Sequence, residues 1–311
     1  MKRKIRNIIL FVVVLIAIDQ IGGRCLDYLC DRLYAEHPTA DKTYYIANDV
    51  DADVVIMGAS NATGSYISRQ IADSTGMTCF NAAMSGRFAD YQCCMIRLML
   101  RHHKPKYLLW EIGEFAFSDY FADMDYNEAS SIYQYYDRDD YVRSYINRKD
   151  QWQRLRMFSH LYLHNSKLLD YLSLRHSQTS DSLLGYEPLP STGYEYPEYK
   201  EEKGSVEEYE ASFSQARYDT IKHTIDYCKR QGVKVIITSS PRYVKGGIKD
   251  GLMYKKMCEL ADECRCPYIE FLDDERFTKD NTLFHDPGHL NGHGAEEYMK
   301  IFIPRLKEII E

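Results

Sequence analysis

Apolar residues fall into two kinds of run along this chain. One is long and unbroken, covering residues 8–18, with Lys2, Arg3, Lys4 and Arg6 before it and Asp19 closing it. The others are short, at 54–57, 78–82, 107–112, 233–238 and 268–272. Short apolar runs bounded by glycine, proline or polar clusters read as buried parallel strands. The stretches between them have helical spacing. Residues 65–74 and 254–264 read as helices, as do 91–103, with Met95, Leu98 and Met99 on one side. Residues 206–231 read as a long helix with Gly232 as its stop, and a last helix covers about 294–310. This alternation predicts an α/β fold, a mainly parallel five-stranded sheet with right-handed crossovers.

The rhythm lapses between 115 and 215. That stretch is rich in Tyr, Asp, Ser and Arg, looks helical around 151–174, and becomes a Tyr/Pro/Gly loop around 188–197. It reads as a largely helical insertion in a domain covering 51–311. The chain enters it just after the third strand, so the insertion is expected beside the mouth of the site, where loops carry specificity. Tyr133, Tyr135 and Tyr136 are its candidates for stacking on sugar faces.

The N-terminal run follows the pattern of a secretory signal. Eleven residues rise only about 16 Å as a helix, but counting residues 5–21 gives about 25 Å, near the ~30 Å of a bilayer core. No small-x-small cleavage site follows, and Arg24 before Cys25 spoils a lipoprotein reading. An uncleaved signal anchor over 1–21 is therefore expected ahead of a cleaved signal, with 22–50 as a linker that has some helix and contains Cys25 to Tyr34. The basic flank puts the N-terminus in the cytoplasm and the rest outside, in the periplasm.

Composition narrows the function little further. A net charge of −7 gives no electrostatic footprint for nucleic acid. The 27 tyrosines suit wet surfaces such as glycan clefts, or an ordinary Tyr-rich exterior. Nine cysteines leave at least one without a partner in the chain, and Cys258, Cys264 and Cys266 lack zinc-site spacing. His285, Asp286, His289 and His293 are close in sequence, but Gly288 and Gly292 argue against a helical metal site. No metal and no cofactor are expected.

Three segments carry chemistry. Gly58-Ala59-Ser60-Asn61 follows the first strand. Ligands bind at the carboxyl ends of strands in open α/β sheets, and backbone N–H groups there can stabilise an oxyanion. Asn81-Ala-Ala-Met-Ser-Gly86 follows the second strand, with a glycine that permits close approach of its N–H. Asp286-Pro-Gly-His289-Leu-Asn291 precedes the last helix. A serine hydroxyl needs a base, and the base an orienting carboxylate. Asp286 can hold the imidazole of His289 and leave its other nitrogen for Ser60, while Asn291 can cap the helix. Taken singly, each segment is more often a plain polar turn.

Together, in this order, they resemble the SGNH/GDSL hydrolase superfamily, and the wording around them is similar to envelope-anchored SGNH-like proteins of Bacteroidetes-type bacteria. The resemblance covers about residues 50–112 and 230–311 plus the anchor, and leaves out the insertion. It implies a three-layer α/β/α fold and serine-dependent acyl chemistry, with Ser60, Asp286 and His289 as triad. The oxyanion hole would comprise the N–H groups of Ser60 and Gly86, aided by the Asn61 side chain. An esterase or O-acyltransferase acting on an envelope glycan or glycoconjugate is the leading expectation. One departure stands out: where the superfamily has an asparagine after strand three, this chain has Trp110-Glu111-Ile112-Gly113-Glu114. An ionised carboxylate cannot donate to an oxyanion. A non-catalytic protein binding glycan or a membrane-embedded acyltransferase therefore stays open, as does a lipase or thioesterase acting on membrane lipid.

Overall fold

A computed structural model describes residues 2–36, 41–121, 128–165, 167, 183–191, 212–243 and 248–311. The chain forms two compact units, one from 1–45 and 126–179, the other from 46–125 and 180–311.

The second unit contains the sheet. Its strands are β1 (Val54–Met57), β2 (Cys79–Asn81), β3 (Tyr107–Glu111), β4 (Lys234–Ser239) and β5 (Tyr268–Glu270). They lie in the order β2-β1-β3-β4-β5, every pair parallel. Side chains alternate across such a sheet, and each face is covered. Val54, Ile56, Leu109, Ile236 and Ile269 pack with Tyr66, Ile71, Tyr298, Met299 and Phe302. These partners come from the exit of α2 (Ser60–Ser65), from α3 (Ser68–Thr75) and from the last helix, α7 (Gly292–Ile310). The other face meets α4 (Ala89–Met99) and α5 (Gln215–Arg230), where Trp110 Nε1 donates to Gln92 Oε1 at 2.7 Å. A further helix, α6 (Leu252–Glu263), joins β4 to β5. The expected three-layer α/β/α architecture is present. Burying each of these large apolar side chains contributes about 1.5–3 kcal/mol.

The sequence pattern missed one element. Phe284–Asp286 and His289–Leu290 form a two-stranded antiparallel hairpin, β6–β7, just before α7. Strands of three and two residues are too short for a periodic signal. The helix expected at 206–231 is described as Gln215–Arg230, and residues 206–211 lie outside the described residues. Gly232 ends it with φ +85°, the left-handed conformation that glycine adopts without strain. Cys25, Cys79, Cys228, Cys258, Cys264 and Cys266 are in no disulfide.

The first unit is organised by α1 (Lys2–Glu36), a single helix long and apolar enough to cross a membrane. It runs without a break through residues that the sequence assigns to a linker. Asp19 on α1 accepts from Ser159 Oγ (2.5 Å), His160 N (2.9 Å) and Leu161 N (3.4 Å). Two turns on, Asp27 accepts from the Nε2 atoms of His160 (2.6 Å) and His164 (3.0 Å). A Cβ at Gly23 would lie 2.4 Å from the His160 ring, so only glycine lets that ring sit against the helix.

The described residues of the insertion fall in both units, 128–165 in the first and 183–191 and 212–215 in the second. Tyr133, Tyr135 and Tyr136, the candidates for stacking on sugar, do not offer a platform for it. Tyr133 and Tyr135 are 2% and 1% exposed, Tyr136 is buried, and Tyr133 stacks on Tyr162 with centroids 5.6 Å apart. With Ile132, Val142, Tyr145 and Ile146 they are core. The burial of a large aromatic body outweighed the wetness of its hydroxyl. Helical content in 151–165 is limited to Gln153–Arg156 and a 3-10 turn at Leu161–His164, while 168–174 lie outside the described residues.

Asn291 is 1% exposed, caps α7 by accepting from Gly294 N at 2.9 Å, and donates to Thr282 O and Phe284 O. Asn291→Ala removes the cap and leaves two carbonyls short of donors. It is expected to lower the unfolding free energy by about 2–4 kcal/mol, read from urea denaturation monitored by circular dichroism.

Candidate active site

The polypeptide leaves β1 through Gly58, where a Cβ would lie 2.6 Å from Ala62 Cβ and 3.1 Å from Glu111 Cβ. Only a glycine lets the chain turn this tightly between β1 and β3. Ser60 then opens α2, where Ala62 N and Thr63 N donate to Ala59 O at 3.1 and 3.2 Å and the N–H groups of Ser60 and Asn61 precede these bonds. Thr63 Oγ1 donates to Ser60 O at 2.7 Å. The helix is anchored from β2: Asn81 Nδ2 donates to Ala62 O (2.8 Å) and Tyr66 O (3.1 Å), and Asn81 Oδ1 accepts from Ala83 N (3.0 Å).

Asp286 and His289 face each other as a register pair across the β6–β7 hairpin. Phe284 and Leu290 are buried in the core while the two polar side chains are partly exposed, and the register shifts between Phe284 and Asp286. Pro287 O accepts from Tyr243 N at 2.9 Å, which ties the turn to the exit of β4. Asp286 Oδ1 and Oδ2 lie 2.7 and 2.8 Å from His289 Nδ1. His289 Nε2 lies 2.7 Å from Ser60 Oγ. The sequence-derived trio thus forms one continuous hydrogen-bonded chain, at the spacing required for proton transfer. Both ring nitrogens of His289 are spent in it, and His285 Nδ1 bonds Pro190 O at 2.8 Å, so a metal held by this cluster would have to break those bonds.

Partial burial works to raise the Asp286 carboxyl. The hydrogen bond to His289, its charge and the Gly288 N–H outweigh that, so the carboxyl is held below its ordinary range. The fit is that of a carboxylate that stays ionised and fixes the imidazole tautomer.

The expected oxyanion donors are arranged as follows. Gly86 lies in the connection after β2 with φ +71°, exposed, and a Cβ there would meet nothing within 4 Å. Met84 N donates to Gly58 O at 3.2 Å, which holds this connection against the exit of β1. Asn61 Nδ2 is buried and has no hydrogen-bond acceptor among the described residues, an amide donor still to be satisfied. Glu111, in the place of the third-block asparagine, is buried at the end of β3. It accepts from Ser240 Oγ at 2.6 Å. Burial pushes its carboxyl up, while Ser240, Tyr66 and the Arg242 charge pull the other way. Glu111 thereby supports the segment that follows β4.

Two features escaped the sequence. Arg242, just past β4, carries its guanidinium over Phe115, 5.8 Å from the ring centroid. Its Nη1 lies 3.9 Å from where a Gly288 Cβ would be, so a cation sits beside the Asp286–His289 turn. Residues 183–191 of the insertion line the same region. Glu187 N donates to Thr63 O and Gly292 N to Leu189 O, at 3.0 and 2.9 Å. Backbone contacts of this kind leave no residue-type signature. Among the described residues, Asp27, His160 and His164 of the first unit also have ligand atoms within 4.8 Å of one another, enough for a metal ion, although both histidines already bond Asp27 there.

No protein-family model and no curated protein sequence matches the chain. Among solved structures it is similar to GDSL-like esterases and lipases. A psychrotrophic esterase from Pseudoalteromonas sp. shares 8% identity, over 83% of this chain and 98% of its own, with a TM-score of 0.43. A GDSL-like lipase from Bacteroides thetaiotaomicron shares 11%, over 83% and 88%, with a TM-score of 0.38. TesA shares 10%, over 83% and 99%, with a TM-score of 0.42.

Because the native Asp286 carboxyl lies below its ordinary value, its ionisation stabilises the fold above about pH 4. That contribution fades as pH falls through the lowered native value. The stability difference between the parent and Asp286→Asn is therefore expected to be constant at neutral pH and to shrink in acid, measured as denaturation midpoints between pH 7 and pH 2.5.

Proposed function

We propose that the protein is a serine-dependent acyl hydrolase or O-acyltransferase acting on an ester of an envelope carbohydrate or glycoconjugate. The observation that carries this reading is the hydrogen-bonded chain from Asp286 through His289 to Ser60 Oγ. In this reading Ser60 attacks the ester carbonyl while His289 takes the hydroxyl proton. The tetrahedral oxyanion draws on the Ser60 and Gly86 N–H groups and the Asn61 amide. His289 then protonates the leaving alkoxide, and an acyl-Ser60 ester remains. Water, or a sugar hydroxyl, attacks that ester as His289 takes its proton, and when the acyl–Oγ bond breaks His289 returns the proton to Ser60 Oγ. Asp286 stays ionised and stabilises the imidazolium. The two acceptors use the same residues, so the site's chemistry is common to hydrolysis and transfer.

The preference for an envelope ester rests on α1. With its basic flank inside, an uncleaved α1 would leave the rest of the chain in the periplasm. Protease added to intact spheroplasts is expected to digest the protein down to its N-terminal helix, and full-length material recovered from the cytosol would end this assignment.

A second reading is a non-catalytic protein that binds glycan or a membrane-embedded acyltransferase. Glu111, standing where a donor asparagine is expected, is the feature in its favour. A fluorophosphonate probe separates the two. The catalytic reading expects labelling of the parent protein and none of Ser60→Ala or His289→Ala. Asn61→Ala is expected to slow turnover of an activated ester by about 10²–10³-fold, the cost of one oxyanion donor. A folded parent protein that takes no label would favour the binder.

A further inference from the structure

The first unit carries an apolar face that the candidate active site does not use. Trp152, Leu155 and Phe158 are 58%, 68% and 73% exposed, while Gln153 and Met157 between them are buried. The three lie on and beside the short helix Gln153–Arg156, spaced three apart and so on one side. Large exposed apolar side chains grouped in this way mark an interaction surface.

What covers them is indicated by α1. The apolar stretch 5–21 contains Asp19, and the Asp19 carboxylate accepts from Ser159 Oγ and from the N–H groups of His160 and Leu161. Gln20 Nε2 donates to Phe158 O at 3.2 Å, and Leu161 Cδ2 lies 3.2 Å from where a Gly22 Cβ would be. Residues 158–161 are thereby fixed at the level of residues 19–22. Seventeen helical residues rise about 25 Å, short of the ~30 Å hydrocarbon core, so a bilayer crossed by α1 extends to this level or past it. A carboxylate at that depth is tolerable when protein donors satisfy it, and 159–161 supply those donors. Trp152 would sit where tryptophan is favoured, at the boundary of acyl chains and headgroups. Exposed Arg154 would lie within reach of lipid phosphates, beside Arg156, which pairs with Asp150 at 2.5 Å.

We propose that Trp152, Leu155 and Phe158 form a second, interfacial membrane contact in the leaflet from which α1 emerges. The proposal rests on α1 spanning the bilayer. The chain has two tryptophans, and Trp110 is fully buried, which gives a direct test. Full-length protein is reconstituted into phosphatidylcholine/phosphatidylglycerol vesicles with and without brominated acyl chains, and vesicle binding is checked by flotation. The expected result is bromine quenching of the parent emission that disappears in Trp152→Phe, which retains Trp110. Leu155→Ser/Phe158→Ser is expected to float equally well but to show weaker quenching. Vesicle-bound parent protein whose emission ignores bromination, or equal quenching in Trp152→Phe, would overturn the contact while leaving α1 as an anchor. Failure to float would overturn both.

Discussion

Two buried asparagine amides hold the halves of the candidate site. Backbone carbonyls at the ends of short helices and strands need donors, and at these positions water does not supply them. Asn81 uses Nδ2 twice and Oδ1 once to fix α2, and with it Ser60. Asn291 uses the same three bonds to fix the β6–β7 hairpin and the start of α7, and with them Asp286 and His289. The 2.7 Å contact between His289 and Ser60 joins residues 229 positions apart, and it depends on both supports. Each amide bond contributes about 1 kcal/mol, but leaving such a buried group unmet costs more.

Glu111 shows how a departure at one position is absorbed. At the end of β3 its Cβ packs against Gly58 and its carboxyl accepts from Ser240, so it connects the exits of β1, β3 and β4. Tyr66, which lies close enough to influence it, spends its own hydroxyl on Thr238 at 2.9 Å. A carboxyl raised by burial in this position serves strand-end packing.

The strands were legible because parallel strands buried on both faces are apolar runs, and Val54, Leu108 and Ile236 declare them directly. The trio of Ser60, Asp286 and His289 was legible because each stands at a strand end or before a helix, in an order that few arrangements share. Asn291 announced itself as a cap. The rest depended on contacts distant in sequence. Nothing near Tyr133 says that Tyr162 will stack on it, and nothing near Arg242 says that Gly288 will lie against it. The hairpin holding Asp286 escaped because a pattern needs more residues than β6 and β7 contain. The insertion looked like one body because a sequence cannot show that its first half joins the N-terminal helix.

That joining changes what α1 is. A tether can be cut anywhere along its length without harm to what it holds. Asp19 and Asp27 instead grip residues 159–164, and Tyr34, buried to 0% exposure, donates to Asp41, which is itself paired with Lys167. The helix is thus the spine of the first unit as well as its route through the apolar stretch. A version trimmed at residue 45 to gain solubility would keep the sheet and the Ser60–His289 pair. It would strip the backing from 126–165 and leave Tyr133, Tyr145 and their neighbours without half of the fold that encloses them.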